Sequence, residues 1–257
     1  MKAKELLQSI NEHVDTLAKE TDAFVKSEQF KEYLDTMAKF WEYSFRNQLL
    51  IHYRMPDASK VAGFKTWKEL GRTIKKGEKA IKIIAPFTKE NDEGEKETYF
   101  FPVNVFDISQ TDGEDLTDLS IRLQGSNYDW LLDKLVSLCE SKGINVEFAN
   151  LGVNELFGYA RGGKVFISKK DPVNTQVNTL VHELAHEMLH FTKDKPSEKF
   201  REIQAEGVAH VVCTHFGLKT KSFVYLGLKK ASSEDIMHNL EVIAKTSKEI
   251  IEKVTSL

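Results

Sequence analysis

Residues 180–190 read LVHELAHEMLH, and three side chains in this stretch have the types and spacing of a metal centre. His182 and His186 stand four apart, so on an α-helix both imidazoles project from one face and can grip one ion. Glu183 follows His182 by about 100° of helical turn. That offset sets its carboxylate beside an ion instead of on it. This is the H-E-x-x-H arrangement, two histidines for zinc and a glutamate as general base. A catalytic zinc also needs a third protein ligand and an open position. Glu202 and Glu206, one turn apart in EIQAE, can both face the histidines. Glu202 is assigned as the third ligand and Glu206 as the carboxylate that holds a ligand histidine in its tautomer, and the spacing leaves the reverse open. The ion expected is a single Zn2+ or another divalent transition metal. Zinc in such a site acidifies water and polarises a carbonyl. Glu183 then carries the proton from water to the leaving amine, so the expected activity is that of a metalloendopeptidase. Tyr159, His190 and His210 are the candidates for stabilising the oxyanion.

The elements that must position these groups are legible from their boundaries. Asp171 as N-cap and Pro172 at the first helical position open the histidine helix. Lys195-Pro196 separates it from the glutamate helix, which Gly217 closes. Upstream, LFGYARGGKVFIS reads as a hairpin turning at Arg161-Gly162-Gly163. One of its strands, Leu156–Ala160 or Val165–Ser168, is expected to pair with an extended substrate. Tyr128 to Ser141 is an amphipathic helix, INVEFAN a strand, and the stretch from Ser233 a long packing helix. Residues 1 to about 54 are helical, with Phe30, Leu34, Met37, Phe40, Trp41 and Phe45 as a core stripe, then Leu49, Leu50 and Tyr53. KAIKIIAPF and ETYFFPVNVFDIS are strands. The polar, acidic SQTDGEDLTD marks a domain boundary. The fold class is therefore α+β in two domains: residues 1–110 with helices and a small β-sheet, a linker at 111–126, and residues 127–257 carrying the metal site.

Two cysteines far apart and no secretory or membrane-spanning pattern suit a cytoplasmic protein without a membrane partner. The net charge of −3 argues against a general nucleic-acid binder. Its distribution argues otherwise. Residues 60–89 hold nine Lys or Arg against two acids. Within them Phe64 and Trp67 alternate with Lys65, Lys68, Arg72, Lys75, Lys76 and Lys79. A positive groove interleaved with aromatic faces is how single strands are held with little sequence specificity. A solvated lysine face around a buried Trp67 and Phe64 explains the same composition equally well.

The stretch YSFRNQLLIHYRMPDASKVAGFKTWKELGRTIKKGEKAIKIIAP, followed by VFDISQT, resembles the N-terminal domain of the ArdC-type antirestriction proteins of plasmids and other mobile elements. NTLVHELAHEMLH and EIQAEGVAHVVC resemble that family's C-terminal metallopeptidase-like domain, related to the ImmA/IrrE zincins. The resemblance implies an N-terminal domain that binds single-stranded DNA and a zincin-like metallopeptidase domain after it. It tips the basic region towards DNA, and Asn47, within the matched stretch, joins the candidate contacts. It favours Glu202 as ligand and Glu206 behind it. It further implies protection of incoming single-stranded DNA from restriction. Two other readings stand beside it: a non-enzymatic DNA-coating protein with a structural metal, and an ImmA-like protease that cleaves a repressor. The first reading requires a protein substrate that is not identified.

Overall fold

The computed structural model describes residues 2–90, 95–113, 128–151, 156–192, 194–220, 228 and 230–257. The first domain opens with helices α1 (Ala3–Lys19), α2 (Ala23–Lys39) and α3 (Phe45–Arg54). Asp22 starts α2 by accepting the Phe24 and Val25 backbone N–H groups, which otherwise lack a partner at a helix start. The aromatic stripe is core, as its periodicity implies: Phe30, Leu34, Met37 and Phe40 are buried, and Trp41 and Phe45 pack against them. Tyr53 departs from it and is partly exposed.

The chain then forms β1 (Val61–Gly63), α4 (Phe64–Glu69), β2 (Thr73–Ile74), β3 (Ile81–Glu90), β4 (Lys96–Asp107), a 3-10 turn at Ile108–Gln110, and β5 (Thr111–Asp112). One antiparallel sheet has the order β1-β4-β3, and β2 pairs with β5. Asp107 ties the turn together, because its buried carboxylate accepts the N–H groups of Ser59, Lys60 and Ser109. Thr111 and Asp112, placed at the start of the expected linker, are strand residues of this domain; residues 114–126 of that linker lie outside the described residues.

The second domain contains α5 (Asp129–Ser141), β6 (Asn145–Ala149), β7 (Gly158–Ala160), β8 (Lys164–Ser168), α6 (Val173–Leu189), α7 (Glu198–His215) and α8 (Ser233–Ser256). Its sheet runs β6-β8-β7, with β6 parallel and β7 antiparallel to β8. β8 is therefore paired on both sides, so Val165–Ser168 cannot receive a substrate strand. β7 is the edge. The histidine helix starts one residue later than expected: Pro172 has an extended ψ of 149° and is itself the N-cap, and Asp171 stands outside.

Helix α6 packs on α7, and α7 on α8. Gly207 permits that second contact, since a Cβ there would run into Ile243. The two domains share a continuous core, because α2 lies on α7 while α8 touches α1 and α3. This is a mixed helix-and-sheet architecture in two domains. No helix among the described residues is long and apolar enough to cross a membrane.

Candidate metal centre

The outer edge of β7 lies over α6. Phe157 O accepts from Ser168 N, and Arg161 N donates to Lys164 O, so the alternation of an antiparallel pair turns the backbone groups of Gly158 and Ala160 outward. Gly158 allows the close approach: a Cβ there would stand 2.6 Å from Thr179 Cγ2 and 2.7 Å from Phe166 O. The Ala160 N–H is thereby aimed at the Glu183 carboxylate.

His182 and His186 face each other with their Nε2 atoms 3.0 Å apart. Glu202, from α7, places Oε2 3.6 Å from His182 Nε2 and Oε1 3.6 Å from His186 Nε2. Donors each about 2 Å from a tetrahedral ion stand about 3.3 Å apart, so the three groups are spaced for one. Glu206 sits on the other side of His182, its Oε1 3.5 Å from Nδ1. The two acids of α7 thus meet different nitrogens of one ring.

Hydrogen bonding fixes which nitrogen of His186 carries the proton. The Asp235 carbonyl can only accept, so Asn239 presents Nδ2 to it, 2.7 Å away. Asn239 Oδ1 then accepts from Gln204 Nε2 at 2.9 Å, which leaves Gln204 Oε1 to accept from His190 Nε2–H at 2.9 Å. With its proton on Nε2, His190 offers a bare Nδ1, and His186 Nδ1–H donates to it at 2.9 Å. The result is a lone pair on His186 Nε2, directed at His182 and Glu202. A carboxylate and imidazole lone pairs converging at these distances repel one another unless a cation lies between them. The donor set fits a divalent metal, with His182, His186 and Glu202 able to hold it.

Burial shapes the protonation of this cluster. It drives His182 down to about 3, with His186 and His190 adding to the shift. It pushes Glu183 up to about 7, helped by the charge of Glu202 and opposed by the Ala160 N–H. Glu206 also rises to about 7, from burial and then from Glu202 and Glu183. The histidines are therefore neutral at pH 7, as ligands must be.

Of the three oxyanion candidates, His190 is committed to the chain just traced. His210 is committed elsewhere, with Nε2 2.6 Å from Asp35 Oδ1 on α2 and Nδ1 2.8 Å from Thr220 Oγ1. Tyr159 stacks on Phe166 and borders the cleft.

The basic region divides into buried and exposed side chains. Trp67 is 2% exposed, its indole N–H donating to Phe106 O at 2.8 Å. Arg72 is buried against Thr111, bonding Oγ1 at 2.7 Å and the backbone carbonyl at 3.2 Å. Asn47 is buried and closes the edge of β3 by bonding both backbone groups of Ile84. These three were expected at a nucleic-acid surface, and the structure instead uses them as internal fastenings. Phe64, Lys65, Lys68, Lys75, Lys76 and Lys79 are exposed, although Lys75 also reaches Ser109 O and Asp112.

Residues 3–122 match the family model for the N-terminal domain of anti-restriction factor ArdC, and residues 139–224 match the IrrE N-terminal-like domain of the M78 peptidases. The chain joins an ArdC-type N-terminal domain to an IrrE-like domain. The antirestriction ArdC protein from plasmid R388, in metal-free and Mn(II)-bound crystal structures, shares its fold with a TM-score of 0.53 in each case. Sequence identity is 18% and 21%, over 84% of this chain and 86% of that protein. The uncharacterized protein pXO2-81 of Bacillus anthracis is 29% identical over 271 aligned residues, covering 84% of this chain but 45% of that protein. The chain thus spans about half the length of this curated relative.

The ArdC-type N-terminal domain also carries a surface that strand periodicity alone does not announce. Beyond the reach of α3, β3 and β4 continue as a two-stranded arm. In their register Phe87 opposes Tyr99 and Ala85 opposes Phe101. Phe87, Tyr99 and Phe101 therefore share the face whose root, Ile81, Ile83 and Val105, is core. Their exposures are 52%, 52% and 42%. Register was the missing signal. A one-residue slip would have put the rings on the other face.

Proposed function

We propose that the chain is an antirestriction-type protein that binds single-stranded DNA with its N-terminal domain and carries a zinc-dependent peptidase site in its C-terminal domain, acting in the cytoplasm. The division between the two falls between residues 110 and 127. The observation that carries the peptidase reading is the hydrogen-bond chain from Asp235 to His186, which leaves a bare Nε2 beside His182 Nε2 and the Glu202 carboxylate.

His182, His186 and Glu202 hold the ion, and Glu206 keeps His182 in its tautomer from behind. Zinc bound there supplies Lewis acidity for water and for the scissile carbonyl. Glu183 takes a proton from water and delivers it to the leaving amine. Burial around Glu183 favours its neutral form and so assists the uptake of that proton. The outward groups of Gly158 and the outward carbonyl of Ala160 offer an extended peptide a strand to pair with. In the other domain, exposed lysines meet phosphates, while Phe64 and the rings of the β3–β4 arm offer faces for bases.

The test is to incubate wild type and Glu183→Gln with single-stranded DNA and candidate proteins, following cleavage and DNA retention together. The variant should keep its metal and its DNA while cleavage falls by a factor on the order of 100 to 10,000. Loss of the metal from that variant would show that Glu183 is a ligand and not the base.

A further inference from the structure

Two cavities share His182 and Glu183. One, of 490 Å³, runs past Leu156, Asn178 and Thr220. The other, of 380 Å³, is walled by Tyr159, Phe191, Lys195 and Arg201 beside Glu202. The second is bordered by a polar group without a partner. Arg201 Nε is sealed from solvent and has no hydrogen-bond partner among the described residues. A buried donor without an acceptor costs free energy, which a small turn of the Arg201 side chain towards an acceptor bound in the cavity recovers. Lys195 lines the same cavity, with Nζ 5.4 Å from the centre of the Phe191 ring. The acids in the lining are Glu183 and Glu202, which have other work as base and ligand. A planar guanidinium fork beside a second cation matches a carboxylate in shape and charge.

We propose that this cavity binds a carboxylate of the substrate peptide through Arg201, with Lys195 contributing charge, so that the cleft prefers a peptide with an anionic group next to the scissile bond. This rests on the peptidase reading of the cleft and adds its specificity. The carboxylate can come from an Asp or Glu side chain or from a free C-terminus.

The test uses the zinc-loaded full chain labelled with nitrogen-15 at arginine, titrated with three acetylated tripeptides. These are Ala-Asp-Ala with an amidated end, Ala-Asn-Ala with an amidated end, and Ala-Asn-Ala with a free end. A charge-assisted fork predicts about tenfold tighter binding for a carboxylate peptide than for the doubly neutral one, together with a shift of the Arg201 Nε–H signal. Whichever acidic peptide shows the preference identifies the source. Arg201→Gln should abolish the preference while leaving the neutral peptide's affinity unchanged, and Arg201→Lys should keep part of it. Zinc stoichiometry checks that each variant is folded at the centre, and Lys195→Gln, farther from the ligands, should weaken the preference without touching the metal. Equal affinities for all three peptides in the wild type overturn the proposal and leave the peptidase reading standing, as does a preference that survives Arg201→Gln. Failure of every peptide to bind overturns both.

Discussion

Gln204 is the link whose replacement tests the ordering of the centre. It touches none of the three candidate metal ligands by hydrogen bond, yet it accepts from His190 Nε2–H and donates to Asn239. Gln204→Leu keeps the volume and removes both bonds. His190 is then free to take its other tautomer, with the proton on Nδ1, and two donors would meet at the His186–His190 contact. His186 relieves that clash by moving its own proton to Nε2, where the lone pair is needed. Losing an orienting partner behind a ligand histidine costs about 10- to 100-fold in metal affinity, or roughly 1.4 to 2.7 kcal/mol. Stability should fall as well, by about 1 to 3 kcal/mol for each buried polar group left unpaired. Gln204→Glu separates the two effects, because a carboxylate still accepts from His190 while losing the donation to Asn239. Its zinc affinity should stay near wild type. Competition against a chromophoric chelator measures the affinity, and long-range proton–nitrogen spectra report the His186 tautomer. If folded Gln204→Leu binds zinc as wild type does, with the His186 proton still on Nδ1, the chain does not order the ligands and the reasoning fails.

Replacing Lys65, Lys68, Lys75 and Lys76 by Gln should reduce the slope of log affinity for single-stranded DNA against log salt by about 3. An unchanged slope removes these lysines from the interface. Phe87→Ala, Tyr99→Ala and Phe101→Ala together should weaken an oligothymidylate by about 1 to 3 kcal/mol per stacked base while leaving an abasic oligonucleotide of equal length unaffected. Equal losses on both would assign the rings to something other than bases. His52 is held down to about 4 by burial, with His13 and Lys39 adding to it. Between pH 6.5 and about 4 the unfolded chain therefore takes up a proton that the folded one refuses, and stability drops as pH falls through that window, by up to about 3 kcal/mol from this group. His52→Gln should flatten that loss in urea titrations at pH 7 and near pH 4, and an undiminished loss would exonerate His52. Gly207→Ala should lower the melting temperature despite the better helix propensity of Ala. Ile243→Ala in the same chain should restore part of the difference by making room, and additive losses would exclude the contact.

The helices around the metal centre were legible because their boundaries have local causes. Lys195-Pro196 lies in the break between α6 and α7, Gly217 closes α7 with a φ of +81°, and the apolar period of 3.6 carries the rest. The choice between Glu202 and Glu206 was not legible in the spacing, because both lie on one stripe of α7. Only the rotation of His182 puts its Nε2 beside one acid and its Nδ1 beside the other. The basic region failed in the opposite way. Composition counts side chains without their direction, so Trp67, Arg72 and Asn47 looked like surface although long-range partners at Phe106, Thr111 and Ile84 bury them. Each of those partners lies 37 to 39 residues away along the chain. Local pattern carries no trace of such distances.

The same limit explains why α8 looked uninformative. Its apolar period announces a packing helix, and Ile236, Leu240, Ile243, Ile250 and Val254 are indeed buried. The position that matters is Asn239, a polar residue 1% exposed in the middle of that apolar face. A buried amide is tolerated only where its donors and acceptor are matched, and here the match is what propagates. The Asp235 carbonyl orients Asn239, which orients Gln204, which sets His190 and then His186. A backbone carbonyl at the start of the chain has no alternative hydrogen-bonding state, so every later member inherits a fixed sense. An apolar residue at 239 would fill the space equally well and leave the orientation of Gln204 undetermined. The packing helix is therefore also the reference against which the ligand histidine is ordered.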